Sequence, residues 1–227
     1  MQEAQAKIDV PLRTRKRAAL RVALVDALVA QLATRTLAEV PVEELARAAG
    51  ISQATFFNYF PSKVDLLTHF VQLWSLRMSA LGRRVAGAEA SALRALEALF
   101  MATATEASAA PNVLLEIIAY QALAATRPRP PPVELAERML LLPEEVDVAS
   151  LPDQGLGALL PELLGLAVRR GELPAGADVP ALTLAAASIF FGTPVVLGRS
   201  QLVHLGPVYR QQLRLLWSGA RAGEVVS

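Results

Sequence analysis

The chain of 227 residues contains no cysteine and only two histidines, His69 and His204. Structural disulfides, thiol catalysis and thiolate metal sites are therefore excluded, and too few histidines remain for a zinc cluster, so neither a metal nor a cofactor is expected. Aromatic residues are sparse, at 5% against 53% apolar residues overall. The core must then be built from Leu, Val and Ala, a composition that favours helix. There is no phosphate-cradling Gly-rich loop and no nucleophile elbow, which argues against catalysis. The formal net charge is only +1, 22 basic residues nearly balancing 21 acidic ones. The distribution is less even: Lys7, Arg13, Arg15, Lys16, Arg17 and Arg21 face the single acid Asp9 in one cationic segment.

No apolar run followed by a small-residue cleavage site stands near the N-terminus, so secretion is not expected. One stretch imitates a membrane span, Val179 to Gly198, which carries no charge. Pro180, Pro194 and its Thr and Ser residues, with no companion span, favour a buried or dimer-facing helix. The expected location is the cytoplasm, without membrane contact.

Apolar residues recur at helical spacing from Arg13 to Thr34, with Arg17, Arg21 and Arg35 off the apolar stripe. After a break at Thr36 to Pro41, Val42, Leu45, Ala46 and Ala49 share a second helical face. Gly50 supplies a turn, and Ser52 is placed to cap a short helix over Gln53 to Tyr59. Phe60-Pro61 is the next break. Ser62 to Asp65 reads as a capping box opening a helix from Lys63 to about Gly82. Further helices are predicted over Ala88 to Ala109, Asn112 to Ala124, Val133 to Leu142, Leu156 to Arg170, Ala181 to Leu197 and Val203 to Trp217. Between them, the tract from Arg127 to Pro132 reads as an exposed loop, and Pro143 to Asp153 as an acidic connector. The fold class is all-α, with a small N-terminal module over residues 1–62 and a larger helical domain over residues 63–227.

An apolar helix, a Gly-containing turn and a capped short helix make up a helix-turn-helix, in which the first helix braces the second for entry into the DNA major groove. Phe56 and Phe60 are expected to anchor the second helix inward. Gln53, Ala54 and Asn58 then face outward, two able to hydrogen-bond base edges and one able to make a close apolar contact.

From Leu45-Ala46-Arg47-Ala48-Ala49-Gly50-Ile51-Ser52 through Thr55-Phe56-Phe57-Asn58-Tyr59-Phe60-Pro61-Ser62-Lys63 to Leu66-Leu67, the sequence resembles the TetR family of bacterial transcriptional regulators. The resemblance is densest over Arg13 to Leu67, about a quarter of the chain. It implies a homodimer that binds a pseudo-palindromic operator in double-stranded DNA, usually as a repressor, and releases it when a small molecule occupies the larger domain. It also implies base-facing roles for Gln53, Ala54 and Asn58, and backbone contacts from Thr55, Tyr59 and Lys63, with Arg13, Arg15 and Arg17 reaching phosphate or minor groove. Pro41 stands where many relatives have Thr, and Phe57 where Tyr is frequent, which removes particular donors.

For an apolar or amphipathic effector, the candidate cavity residues are Trp74, Met78, Met101, Tyr120, Phe190 and Phe191, with Asn112, Glu116, Gln121, Thr183 and Ser188 as polar anchors. Leu182, Ala186, Ile189, Val203, Leu213 and Leu216 are candidates for pairing across a two-fold axis. Two other classes compete with the regulator. One is a helical small-molecule enzyme, with Glu116 and His69 or His204 as an acid–base pair; the other is a protein-interaction module, which would leave the DNA-like motif unused.

Overall fold

The computed structural model describes residues 10–88, 91–123, 130–145, 147–152 and 156–222. Lys7 and Asp9 of the cationic segment, the first part of the Arg127 to Pro132 tract, and Asp153 of the connector lie outside them. All regular structure among the described residues is helical: α1 (Leu12–Leu32), α2 (Val42–Ala48), α3 (Gln53–Tyr59), α4 (Lys63–Ala88), α5 (Ala92–Ala109), α6 (Pro111–Ala122), α7 (Leu135–Leu141), α8 (Leu156–Arg169), α9 (Val179–Leu197) and α10 (Leu205–Ala222). Two 3-10 segments, Leu37–Glu39 and Arg199–His204, also occur among the described residues.

The periodicity of α1 buries Leu24, Val25, Leu28 and Leu32 against Leu45 and Ala46 of α2 and Phe56 of α3, forming the N-terminal core. Behind it α4 runs on past Gly82 to Ala88, further than its sequence suggests. Glycine is a poor helix interior residue, but here packing decides: a Cβ on Gly82 would stand 2.7 Å from Leu159 Cδ2 of α8 and 3.3 Å from both Leu99 methyls of α5. The missing side chain lets three helices cross closely. Ser91 then caps α5 by accepting from the Arg94 N–H at 3.2 Å, so the chain breaks later than Gly82.

The second half of the core carries an aromatic cluster. Tyr209 stacks on Phe190 with ring centroids 6.0 Å apart, Phe100 meets both edge-on, and the Tyr209 hydroxyl donates to the Phe190 carbonyl at 2.5 Å. Burial pushes the Tyr209 phenol above its ordinary range. Across the bundle, Glu172, just past α8, accepts from the Ser91 hydroxyl at 2.5 Å and from the N–H groups of Ala92 and Leu93 at 2.6 and 3.2 Å. A carboxylate distant in sequence thus satisfies the donors that open α5.

Helix α9 is apolar nearly all round, and among the described residues it is the one helix long and apolar enough to cross a membrane. Within the chain it buries only Leu182, Ala186, Phe190, Thr193 and Pro194. Its outer side leaves Leu184 at 71% and Val196 at 87% exposure. The expected pairing residues are corrected accordingly: Leu182, Ala186 and Leu213 belong to the interior, and the outward stripe runs through the apolar Ala181, Leu184 and Val195, interrupted by Ser188.

Candidate nucleic-acid interface and regulatory cavities

Helix α2 stops at a left-handed Gly50, whose φ is 69°. The Gly50 N–H donates to the Arg47 carbonyl at 3.1 Å and the Ile51 N–H to that of Ala46 at 2.9 Å, closing the end of α2 as a Schellman motif. Two residues later the Ser52 hydroxyl oxygen accepts from the Thr55 N–H at 3.1 Å, the expected cap of α3. Because both ends of this turn are closed, the direction of α3 is fixed relative to α2. Phe56 is fully buried and Phe60 nearly so, while Gln53, Ala54 and Asn58 are exposed, as their spacing predicts. Phe57 joins that outer face at 45% exposure. Its position four residues from Gln53 and three from Ala54 carries this signal in the sequence, apart from the loss of a Tyr donor there.

Thr55 and Tyr59 are half-buried at the edge of the face. Arg13, Arg15 and Arg17 lie exposed on the opening turns of α1, and Arg17 stands 3.8 Å from Glu134. Lys63 is differently engaged: its Nζ donates to the carbonyls of Leu37, Ala38 and Val40 at 2.8, 3.2 and 2.7 Å. The same short segment is bound at its other end by Glu116 of α6, which accepts from the Leu37 N–H at 2.8 Å. Within it, hydrogen bonds from the Thr36 backbone and hydroxyl hold the Glu39 carboxyl below its ordinary range. Arg35 pairs with Glu44 nearby, and that hydrogen bond lowers the Glu44 carboxyl likewise.

The effector candidates do not converge on one cavity. Trp74 lines a space of about 320 Å³ between α1, α4, α5, α6 and α7, walled by Val22, Val25, Phe70, Leu73 and Val113. Its indole N–H and Arg77 share the Glu106 carboxylate at 2.9 and 2.7 Å. Tyr120 lines a second cavity of about 380 Å³ beside Tyr59, Phe60, Arg21 and His69. Asn112 is buried with its Nδ2 unpartnered. The other candidates lie elsewhere: Met78 in the wall of a third space of about 370 Å³ with Leu81, Arg84, Ala102 and Leu142, Phe190 in the core, Met101 accepting from Arg210, Phe191 half-buried on α9, Thr183 bonded to the Val179 carbonyl, and Gln121 and Ser188 exposed. Glu116 and His69 form no acid–base pair; His69 instead meets Glu137 at 2.8 Å. No group of three or more acidic or histidine side chains suited to a metal occurs among the described residues.

Residues 24–70 match the family described as bacterial regulatory proteins, tetR family. No curated protein matches the sequence. Among solved structures, the chain is similar to the transcriptional regulator FadR from Bacillus subtilis in complex with stearoyl-CoA, with 18% identity and a TM-score of 0.61 over 87% of this chain and 98% of that one. It is also similar to the TetR-family repressor FadR of Thermus thermophilus in complex with lauroyl-CoA, with 21% identity and a TM-score of 0.60 over 88% and 94%. The ketosteroid transcriptional regulator KstR2 of Mycobacterium tuberculosis gives 18% identity and a TM-score of 0.53 over 94% and 97%. At these identities the likeness is one of fold.

Proposed function

We propose, from the match of residues 24–70 to the bacterial regulatory proteins of the tetR family, that the chain is a cytoplasmic, ligand-responsive repressor that binds a pseudo-palindromic operator as a homodimer. The observation that carries this reading is α3 itself, capped, anchored by Phe56 and turned so that Gln53, Ala54, Phe57 and Asn58 face out together. Gln53 and Asn58 suit base-edge hydrogen bonds, and Ala54 and Phe57 suit apolar contact such as a thymine methyl. Arg13, Arg15, Arg17, Thr55 and Tyr59 form the phosphate-facing set, while Lys63 braces the Leu37 to Val40 turn beside them; residues 1–62 are the reader and 63–227 the regulatory and dimerisation domain. The exposed stripe of α9 supports the dimer, since a monomer would leave it in water.

The effector we propose is apolar or amphipathic. The cavity beside Trp74 has apolar walls and a polar rim at Asp26, Arg77 and Glu106. A ligand there would touch α1 of the reader and α4 to α7 at once, so its occupancy and DNA binding would share one set of contacts. Acyl thioesters are the first class to try, given the acyl-CoA complexes of the two FadR proteins.

Selection from a random duplex pool is expected to return paired half-sites about one helical turn apart, ~35 Å. Recovery of sequences bound no better than bulk DNA would sink the operator reading. Release of that operator by fatty acyl thioesters, fatty acids, steroids or aromatic compounds would identify the effector class. Leu184→Glu in α9 is expected to give monomers by sedimentation analysis.

A further inference from the structure

The cavity that Tyr120 lines has no lining residue in common with the one beside Trp74. Part of its wall belongs to the reader: Tyr59 and Phe60 at the end of α3 and Pro61 in the bend into α4. Another part is Pro130 and Pro131, held in place by Gln72 of α4, whose Nε2 donates to the Pro131 carbonyl at 2.7 Å. Arg21 contributes from α1. Its guanidinium lies over the Phe60 ring at 5.1 Å, and its Nε donates to Glu137 Oε1 at 2.7 Å.

Three properties of this space decide what fits it. The first is size: an apolar cavity of ~150 Å³ accepts benzene, so about 380 Å³ takes two fused rings. The second is shape, because the rings of Tyr59, Phe60 and Tyr120 and the faces of the prolines stack on a flat partner.

The third is the hydrogen-bonding and charge left in the wall. Thr68 gives its hydroxyl proton to the Val64 carbonyl at 2.8 Å, Gln72 keeps its amide oxygen, and Asp65, a carboxylate, has only acceptors. A ligand that brings a donor suits this set. Arg21 is already neutralised by Glu137, whereas Asp65 meets only the Ser62 hydroxyl, at 2.7 Å. An anionic ligand would therefore face a like charge.

We propose that this cavity is a second effector site, distinct from the Trp74 cavity, for an uncharged planar aromatic carrying a hydroxyl or ring N–H. Its occupant opposes operator binding because Tyr59 stands both in this wall and in the phosphate-facing set. The effect on the operator rests on the DNA-binding reading above; the binding itself does not.

The probe is 2-naphthol at neutral pH, and the wild-type chain reports where it sits. Of the three tyrosines, Tyr59 and Tyr120 line this cavity and Tyr209 is fully buried among Phe100 and Phe190, while Trp74 lines the other cavity. Intermolecular NOEs from 2-naphthol to ¹³C-labelled tyrosine rings are expected at Tyr59 and Tyr120. Contacts confined to the Trp74 indole, or no saturable binding up to the solubility limit, would overturn the proposal.

Calorimetry tests the ligand class and the walls. The anion 2-naphthoate is expected to bind roughly tenfold or more weakly than 2-naphthol. Equal or tighter binding of the anion would refute the class. Thr68→Phe, which fills the space, is expected to lower 2-naphthol affinity by roughly tenfold or more, and an unchanged affinity would refute the site. If that variant does not fold, the wild-type NOEs decide.

At a 2-naphthol concentration that saturates the wild type, operator affinity is expected to fall roughly fivefold or more, and to hold steady in Thr68→Phe. NOEs to Tyr59 without any change in operator affinity would overturn the regulatory role. Should no duplex be selected at all, the DNA reading fails, and the NOEs and calorimetry still decide the site.

Discussion

The backbone N–H of Leu37 donates to the Glu116 carboxylate at 2.8 Å, so a side chain of α6 caps a 3-10 turn that lies between α1 and α2. The acceptor oxygen, rather than the negative charge, is what this contact requires. Glu116→Ala is expected to cost about 1 kcal/mol in urea denaturation, and Glu116→Gln, which keeps an acceptor, only a fraction of that. Equal losses in the two variants would mean that charge is what matters.

Lys63 binds the same turn from below through three carbonyls. Lys63→Met is therefore expected to lower thermal stability and to weaken all operator variants alike. With its three N–H groups engaged, the slope of log K against log salt should change by less than the ~0.9 that loss of one phosphate contact produces. A full unit lost from the slope, with the melting temperature unchanged, would assign Lys63 to phosphate instead.

At the crossing of α4 with α5 and α8, Gly82→Ala tests two opposed effects. Alanine favours helix by up to about 1 kcal/mol, yet its methyl would press on Leu159, which is fully buried and has little room to turn. The steric effect is expected to prevail, with a net loss of about 1–2 kcal/mol by chemical denaturation. A stabilised Gly82→Ala chain would show that Leu159 can move aside.

Glu172 gives a pH dependence whose sign follows from its contacts. Burial raises its carboxyl, but hydrogen bonds from Ser91, Ala92 and Leu93 outweigh this and hold it below the ordinary range. A carboxyl lowered by folding stabilises fully above its unfolded value of about 4.3, and that stabilisation is lost as pH falls through the folded value. The gap in unfolding free energy between wild type and Glu172→Gln is expected to be about 1 kcal/mol at neutral pH, allowing for solvent screening, and to close below about pH 4. A gap independent of pH would dissociate the Glu172 charge from the α5 cap.

The reader was largely legible in the sequence because its signals are local: Gly50 after α2, Ser52 before α3, and aromatics four residues apart. Gly82 misled because its role depends on Leu99 and Leu159, which lie outside any local window. Nothing local to Lys63 or Glu116 announces their partners in the Leu37 to Val40 turn, which lie 23 or more positions away. Arg21 stands in the sequence as one cation of a basic segment, off the apolar stripe, and nothing near it announces Glu137, 116 positions away. Residue type, which marks the effector candidates in the sequence, does not distinguish the wall of a cavity from the core behind it.

The bare side of α9 ties the behaviour of this protein to its abundance. With a dimer as the DNA-binding unit, dilution leaves Leu184, Val195 and Val196 in water and removes the reader's second half in the same step. Apparent stability would then rise with protein concentration by mass action. At low copy number, operator occupancy would follow the square of the amount of chain, making repression steeper than a monomer could achieve.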